Sequence, residues 1–207
     1  VGTAGKPAVV ENVTITNSSI TNSGDRCGGV CGTAKEATFR NVSFQGTVIC
    51  TYAEKEAKSG GFVGHTETSA VFENCSADVV LTGDSQDLGG FVGKATGDVT
   101  FTGCKVKATI TSNAATKNRC GGFLGWNSTA TATFTDCHVL EGTTITNTTG
   151  RGSVSNGNFG GFIGFGDTDG TILEVSGCSA AADVNGGVSA YNSTFISYLG
   201  YASTTTI

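Results

Sequence analysis

Cysteine and histidine are the side chains of this sequence with the most recognisable chemistry, and their spacing argues against a reactive site. The chain of 207 residues contains eight Cys and two His, and no two cysteines form a C-x-x-C pair. His65 and His138 fall at different points of the sequence repeats, so neither has the regularly spaced thiol or carboxylate partners of a metal site. We therefore expect neither a metal nor any other cofactor.

The acidic residues are too scattered to indicate catalysis. Enzymes that cleave polysaccharides bring carboxylates and a base together on one surface. Here the acids lie mostly in polar, variable segments, at Glu54, Glu56, Asp84, Asp87, Asp167 and Asp169. The segment GDTDG at 166–170 is similar to a calcium loop but lacks the further oxygen ligands, and we interpret it as a polar turn. The sequence predicts no enzymatic activity.

A repeated glycine-rich motif is the strongest signal in the chain. Its copies are GGVCG at 28–32, GGFVG at 60–64 and 89–93, GGFLG at 121–125, GGFIG at 160–164 and a degenerate ISYLG at 196–200. A second block accompanies them, as AVVENV at 8–13, ATFRNV at 37–42, AVFENC at 70–75, VTFTGC at 99–104, ATFTDC at 132–137 and LEVSGC at 173–178. A period of about 30 residues in Gly-rich, β-prone sequence is typical of a solenoid.

The alternation of apolar residues shifts by one place at a fixed point of the second block. Val99 and Phe101 share one parity, whereas Cys104 and Val106 share the other. The shift falls on Gly103, and its equivalents are Asn12, Asn41, Asn74, Asp136 and Gly177. These residue types tolerate a positive φ, so we predict a left-handed corner between two strands whose apolar side chains both point inward. A hairpin is the alternative, but one residue is too short to reverse the chain.

The blocks predict a coil with three sides: the glycine-rich motif, the ATF block, and a segment such as CKVKATIT at 104–111. The fold class is therefore all-β, a parallel β-solenoid (β-helix) of about six three-sided coils of 29–39 residues, which forms a single repeat domain over residues 1–207. The coils start near residues 1, 30, 62, 91, 123 and 162, with a partial last coil from 198. Successive coils should stack in register, about 4.8 Å apart.

This register predicts the core. One ladder comprises Phe39, Phe72, Phe101 and Phe134, with Val10 and Val175 at its ends. The row after the corner comprises Val13, Val42, Cys75, Cys104, Cys137 and Cys178. Because cysteine packs like a small apolar residue, unpaired core thiols explain this row. Disulfides between adjacent rungs also fit the usual Cα separation, and a metal site is the third alternative.

The glycine-rich motif contains two adjacent apolar columns, and a regular strand points only one of them inward unless the glycines bend it. We expect Val63, Val92, Leu124, Ile163 and Leu199 to point inward and the aromatic column to face outward; the reverse is the alternative. With Trp126, the outward column would form an aromatic binding stripe of Phe62, Phe91, Phe123, Trp126, Phe162 and Tyr198. An exposed apolar patch of this size would need to be covered by a polar segment that connects two coils, by a neighbouring chain or by a glycan.

The residue after each motif also varies in an informative way. It is Trp126, Phe165 or Tyr201 in three copies, and His65 or Lys94 in two others. Aromatic rings at such a position could stack on sugar rings or could cover a connector.

The GGFVG motif followed by an ATFENC-type strand resembles the GLUG-type repeats of large secreted and wall-anchored bacterial surface proteins, including adhesins and IgA-peptidase-like proteins. The resemblance covers nearly the whole chain, although the motif here reads GGFVG or GGFLG. It implies a β-solenoid in an extracellular or cell-surface protein, often in a non-catalytic stalk or adhesive region. The repeat has no catalytic residues to carry over.

We therefore expect a non-catalytic structural or adhesive β-solenoid segment of an extracellular surface protein, with host or environmental glycans or protein receptors as partners. The net charge of −5 opposes nucleic-acid binding, and no apolar run nears the about 20 residues that span a bilayer, so no membrane insertion is expected. The alternative is a self-assembling subunit of an extracellular filament. In that homo-polymer, open solenoid ends without an obvious cap would stack head to tail.

Overall fold

A computed structural model describes residues 5–52, 57–114, 118–128, 131–149, 157–166, 172–187, 190–199 and 204–206, which form strands, turns and bends and no helix. Each complete coil of the solenoid, which we call a rung, has four strands, and the strands are numbered in chain order. The first three rungs are β1 (Ala8–Glu11), β2 (Thr14–Asn22), β3 (Arg26–Gly28), β4 (Cys31–Ala34), β5 (Ala37–Arg40), β6 (Ser43–Cys50), β7 (Lys58–Gly60), β8 (Val63–Thr66), β9 (Ser69–Glu73), β10 (Ser76–Gly83), β11 (Asp87–Gly89) and β12 (Val92–Ala95). The following strands are β13 (Asp98–Thr102), β14 (Lys105–Ser112), β15 (Arg119–Gly121), β16 (Leu124–Asn127), β17 (Thr131–Thr135), β18 (His138–Asn147), β19 (Asn158–Gly160), β20 (Ile163–Gly166), β21 (Ile172–Ser176), β22 (Ser179–Asn185), β23 (Tyr191–Ser193), β24 (Ile196–Leu199) and β25 (Thr204–Thr206).

Parallel pairing between successive rungs joins these strands into four sheets, which we call faces 1 to 4. Face 1 has seven strands, from β1 through β5, β9, β13, β17 and β21 to β25. Faces 2, 3 and 4 have six strands each and begin with β2, β3 and β4, respectively. The predicted all-β parallel β-solenoid is confirmed, but each coil has four strands where the sequence predicts three sides.

The predicted corner lies between faces 1 and 2 of every rung. Its residues have φ values of 52° to 65°, at Asn12, Asn41, Asn74, Gly103, Asp136 and Gly177. Asn41 Nδ2 donates a hydrogen bond to Asn12 Oδ1 of the preceding rung at 3.0 Å. The corner is confirmed, and it explains why apolar side chains on both sides of the phase shift point inward.

The fourth strand arises because the glycine-rich motif bends. In the GGFLG copy, β15 ends at Gly121 and β16 begins at Leu124. The N–H groups of Phe123 and Leu124 both donate to the carbonyl oxygen of Phe162, at 2.9 and 3.1 Å. Two consecutive N–H groups that face the same neighbour break the alternation of a strand. A Cβ atom on Gly122 would lie 2.1 Å from the carbonyl oxygen of Gly161, so this approach of two rungs requires glycine.

Two columns of phenylalanine rings fill the axis of the solenoid. Within each column the rings stack at centroid distances of 4.5–5.1 Å. Rings of different columns meet edge to face at 5.1–5.9 Å. The columns comprise Phe39, Phe72, Phe101 and Phe134 from face 1, and Phe62, Phe91, Phe123, Phe162 and Phe195 from the bends. The predicted face 1 ladder, with Val10 and Val175 at its ends, is confirmed by the strand register.

The predicted cysteine row also points inward. Cys75, Cys104 and Cys137 are 0–1% exposed, and Cys178 at the end of the row is half-buried. All eight cysteines lie within the described ranges, and they are free thiols.

Replacement of Phe101 by Ala should remove a ring that contacts four others. Its centroid lies 4.7 Å from that of Phe72, 4.8 Å from that of Phe134 and 5.1 Å from that of Phe123. We expect Phe101→Ala to lower the free energy of unfolding by about 3–5 kcal/mol, measured by urea denaturation. Thr100→Ala, on the outward side of the same strand, should change it by less than about 0.5 kcal/mol, and equal losses in the two variants would contradict the ring core.

Gly122→Ala tests the bend. Because the added Cβ meets backbone that cannot rotate away, we expect a loss of more than about 2 kcal/mol in the free energy of unfolding. Gly24→Ala is the control, since its Cβ would first meet the flexible side chain of Asn22, at 3.3 Å. Similar unfolding midpoints for the two variants would show that the bend tolerates a side chain.

Candidate functional site

The predicted aromatic stripe does not form on the surface. Phe62, Phe91, Phe123 and Phe162 are each 0% exposed, and the neighbouring Val63, Val92, Leu124 and Ile163 are also 0% exposed. The prediction that the phenylalanines face outward is wrong, because the glycine bend turns both columns towards the axis. The aliphatic column points inward at these four positions, as expected. The prediction for its fifth member, Leu199, is wrong: Leu199 is 38% exposed, and Ile196 pairs with Ile163 in its place.

Tyr198 does not belong to the phenylalanine column. Ile163 pairs with Ile196 and Phe165 pairs with Tyr198, while Phe195 stacks on Phe162 with centroids 4.9 Å apart. The last motif copy is therefore STFIS at 193–197, three residues before the predicted ISYLG. Ser and Thr replace its glycines, which hid it in the sequence. Tyr201, the predicted aromatic after the motif, lies outside the described residues.

A crease runs along the outer side of the glycine bend, where faces 3 and 4 turn towards each other. Two register columns form its walls. The face 3 wall is Arg26, Lys58, Asp87, Arg119, Asn158 and Tyr191. The face 4 wall is Thr33, His65, Lys94, Trp126, Phe165 and Tyr198. Trp126 of the predicted stripe thus lies in the crease, whereas Phe123 is buried in the core.

The crease is buried and charged in its first rungs. His65 and Lys94 are each 6% exposed. The Glu67 carboxylate forms ion pairs with Arg26 and Lys35, and its Oε1 lies 3.6 Å from His65 Nδ1. Burial, together with the nearby Lys58 and Arg26, lowers the pKa of His65 to about 4. His65 is therefore neutral at physiological pH.

Asp87 is the buried acid of the crease, with a side chain that is 0% exposed. Arg119 Nε donates a hydrogen bond to its Oδ1 at 2.5 Å, and Oδ2 has no hydrogen-bond partner among the described residues. Burial raises the pKa of Asp87 to about 6, although the charges of Arg119 and Lys94 favour the carboxylate. Asp87 therefore titrates just below neutral pH.

The crease becomes aromatic and more open towards the later rungs. Lys94 Nζ and Arg119 Cζ each lie 3.5 Å from the centroid of the Trp126 ring, in cation–π contact. Phe165 and Tyr198 stack with centroids 4.9 Å apart. Both rings are half-buried, whereas Tyr191 on the opposite wall is 56% exposed. This end therefore presents aromatic surface to solvent.

His65 and Thr96 are the described groups most similar to a catalytic pair. His65 Nε2 lies 2.9 Å from Thr96 Oγ1. The same hydroxyl lies 3.2 Å from the carbonyl oxygen of Thr66, which can only accept a hydrogen bond. If the hydroxyl proton bonds to that carbonyl oxygen, Thr96 accepts from the Nε2–H tautomer of His65, and Nε2 then lacks the lone pair of a general base. We interpret the pair as structural.

The other sequence candidates are not brought together. His138 lies on face 2, where its Nδ1 is 2.9 Å from Ser179 Oγ. Glu54, Glu56, Asp167 and Asp169 lie outside the described residues, as does the GDTDG segment beyond Gly166. Within the described ranges, no group of three His, Cys, Asp or Glu side chains could hold a metal ion. The described residues include no helix that could span a membrane.

Sequence reasoning missed the face 3 wall of the crease. Its residues stand two positions before the paired glycines, in RCGG, KSGG, DLGG, RCGG and NFGG. The recurrence of a polar residue at this position is a signal that could have identified the wall. The burial of Lys58 and Asp87 could not be read from it, since charged residues are usually exposed.

Comparison with known proteins supports the fold. No protein-family model matches the sequence, and no curated protein matches it. The chain is similar to the crystal structure of "a putative immunoglobulin A1 protease from Bacteroides ovatus", with a TM-score of 0.52 and 18% sequence identity. The similarity covers 95% of this chain and 57% of that chain, so this chain spans little more than half of the other's length. At this identity the likeness shows the fold alone.

His65 and Asp87, the two buried titratable groups of the crease, should change the free energy of unfolding in opposite directions as the pH rises. The folded-state pKa of His65 lies below its ordinary value of about 6.5, so the unfolded chain binds more protons and stability rises between about pH 4 and 6.5. The folded-state pKa of Asp87 lies above its ordinary value, so stability falls between about pH 4 and 6. In the wild type, these contributions should largely cancel.

Single substitutions should expose each contribution in urea unfolding measured across this pH range. Relative to the wild type, His65→Gln should lose stability as the pH rises, and Asp87→Asn should gain it, each by about 2 kcal/mol over the range. Each variant serves as the control for the other, because both alter the same crease. Parallel stability profiles for the two variants and the wild type would contradict these pKa shifts.

Proposed function

We propose that this chain is a non-catalytic structural and adhesive β-solenoid segment of an extracellular surface protein of the GLUG-repeat type. The observation that carries the proposal is the double column of phenylalanine rings along the axis. This core continues from rung to rung without a change in its design, which favours a rod-like scaffold over an enzyme. The structural role of His65 and Thr96 adds support. The name of the similar solved structure, an immunoglobulin A1 protease, also fits an extracellular setting.

The mechanism of the scaffold is rigidity. Every rung is tied to its neighbours by parallel strand pairing on four faces and by stacked rings inside. Outward side chains are therefore held at a fixed repeat of about 4.8 Å along the rod. A ligand that binds several rungs meets preorganised groups and costs little ordering of the protein.

The adhesive surface of the proposal is the aromatic end of the crease, and we propose a glycan as its ligand. Tyr191 has a largely exposed ring, and Tyr198 and Phe165 continue the apolar surface beside it. Tyrosine combines an apolar ring with a hydroxyl, which suits the mixed surface of a sugar. The Trp126 ring is in contact with Lys94 and Arg119, so it is not proposed to stack on the glycan.

A glycan panel tests the adhesive role. We expect the folded chain to bind a glycan, and Tyr191→Ala to weaken that binding at least about tenfold through the loss of one aromatic contact. Val80→Ala is the matched control, because Val80 is an exposed apolar residue, 46% accessible, on face 2. The adhesive role is rejected if the folded wild type binds no glycan, or if both variants weaken binding equally.

Self-assembly is the second candidate. The first rung carries partly buried apolar side chains at Val10, Val13, Ile15 and Ile20, and the last carries Ala180, Ala182, Val184 and Ile196. Head-to-tail assembly would pair the strands of the first described rung of one copy with those of the last described rung of another. Sedimentation at rising concentration should then show growing head-to-tail oligomers, whereas a monomer at every concentration would exclude the filament.

A further inference from the structure

The inward cysteine row ends with Cys137 and Cys178, two thiols on successive rungs. We propose that Cys137 and Cys178 are a redox-reactive pair, which a small external disulfide oxidises to a covalent staple between two successive rungs. The proposal goes beyond the scaffold role and does not depend on any ligand of the crease.

The backbone holds the two cysteines directly above each other. Thr135 pairs with Ser176 before them, and His138 pairs with Ser179 after them. The N–H group of Cys137 lies 3.3 Å from Cys178 Sγ, in a hydrogen bond that joins the two rungs. Parallel neighbours in register are about 4.8 Å apart, which lies within the Cα separation of about 4.4–6.8 Å found in disulfides. The strand register therefore brings the two Cα atoms within the disulfide range.

Accessibility selects this pair from the row. Cys178 is half-buried, whereas Cys75, Cys104 and Cys137 are 0–1% exposed. An oxidant in solution thus reaches Cys178 first. The adjacent thiol of the row is Cys137, because Cys104 lies one rung further along the axis. Cys27 and Cys50, which also contact each other, are 2% and 1% exposed and are shielded from the same oxidant.

The environment of Cys137 supports its role as the second nucleophile. A hydrogen bond from the thiol of Cys104 lowers the pKa of Cys137, despite the opposing effect of burial. A lowered pKa increases the fraction of thiolate, which is the form that attacks a disulfide. Burial raises the pKa of Cys178, so its exposure, and not a high thiolate fraction, makes it the first thiol that the oxidant meets.

The reaction is a double thiol–disulfide exchange with oxidised glutathione as the example of a small disulfide. The Cys178 thiolate attacks one sulfur of glutathione disulfide, and one glutathione thiolate leaves with the electron pair of the broken S–S bond. The Cys137 thiolate then attacks Cys178 Sγ and releases the second glutathione. The two cysteine protons pass through solvent to the two glutathione thiolates. The protein loses two electrons and two protons, and one glutathione disulfide becomes two glutathione molecules.

The staple would close a loop between residues 41 positions apart in sequence. That loop contains strands β18 to β21 and the corner at Gly177. A closed loop of this size restricts the unfolded chain, so the oxidised protein should be the more stable form.

Mass spectrometry of the folded chain after incubation with oxidised glutathione tests the pair. We expect the wild type to lose two free thiols, to retain no glutathione, and to yield a Cys137–Cys178 cross-linked peptide. Cys137→Ser should stop at a glutathione adduct on Cys178, and Cys178→Ser should remain unmodified. Cys120→Ser is the matched control, since Cys120 is 0% exposed and outside the row, and it should react like the wild type.

The melting temperature gives a second readout that a merely exposed thiol would not change. Oxidised wild type should melt about 5–10 °C higher than the reduced protein, and dithiothreitol should reverse the shift. The proposal is overturned if the wild type stays unmodified, keeps glutathione on Cys178, or forms a Cys27–Cys50 bond instead. A lower melting temperature of the cross-linked form would likewise overturn the view that the bond fits the native rungs.

Discussion

In-register stacking is the constraint on which this structure depends. Parallel pairing places each residue about 4.8 Å from its equivalent in the next rung, so a column must tolerate contact between its own members. Phenylalanine meets this condition by ring stacking, as in the pair of Phe72 and Phe101 with centroids 4.7 Å apart. Charged residues in one column need counter-charges nearby, and the adjacent cations Arg26 and Lys58 have the Glu67 carboxylate beside Arg26. The face 3 wall places Asp87 between Lys58 and Arg119, which separates the two cations by a carboxylate.

The glycine bend determines both the aromatic core and the crease on the outer surface. Because Phe123 and Leu124 donate to the same carbonyl oxygen, their side chains enter the core together. The axis can then hold two ring columns that meet edge to face, a geometry favoured by aromatic quadrupoles. The same change of direction folds faces 3 and 4 towards each other on the outside. Core and crease therefore have one origin, and a side chain at Gly122 would disturb both.

The sequence is informative wherever a single residue controls the geometry. The positive φ at Asn74 and Gly103 could be predicted from residue type, and the ladder of Phe72 and Phe101 follows from the phase shift at that corner. The inward direction of the Phe123 side chain could not be predicted in this way. Alternation of side chains holds for a straight strand, and the bend results from backbone contacts between rungs. The crease was missed for a related reason. Its walls come from two strands that the sequence presents as one, and the burial of Asp87 depends on how faces 3 and 4 close.

The change in character along the crease also gives the rod a direction. Backbone pairing alone makes successive rungs equivalent, so it gives a long molecule lying on the rod no preferred position. The passage from the buried ions around Asp87 to the open ring of Tyr191 removes this equivalence. A chain-like partner with one charged end and one apolar end would bind in one orientation only. The repeat architecture thus carries a polarity that its periodic sequence conceals.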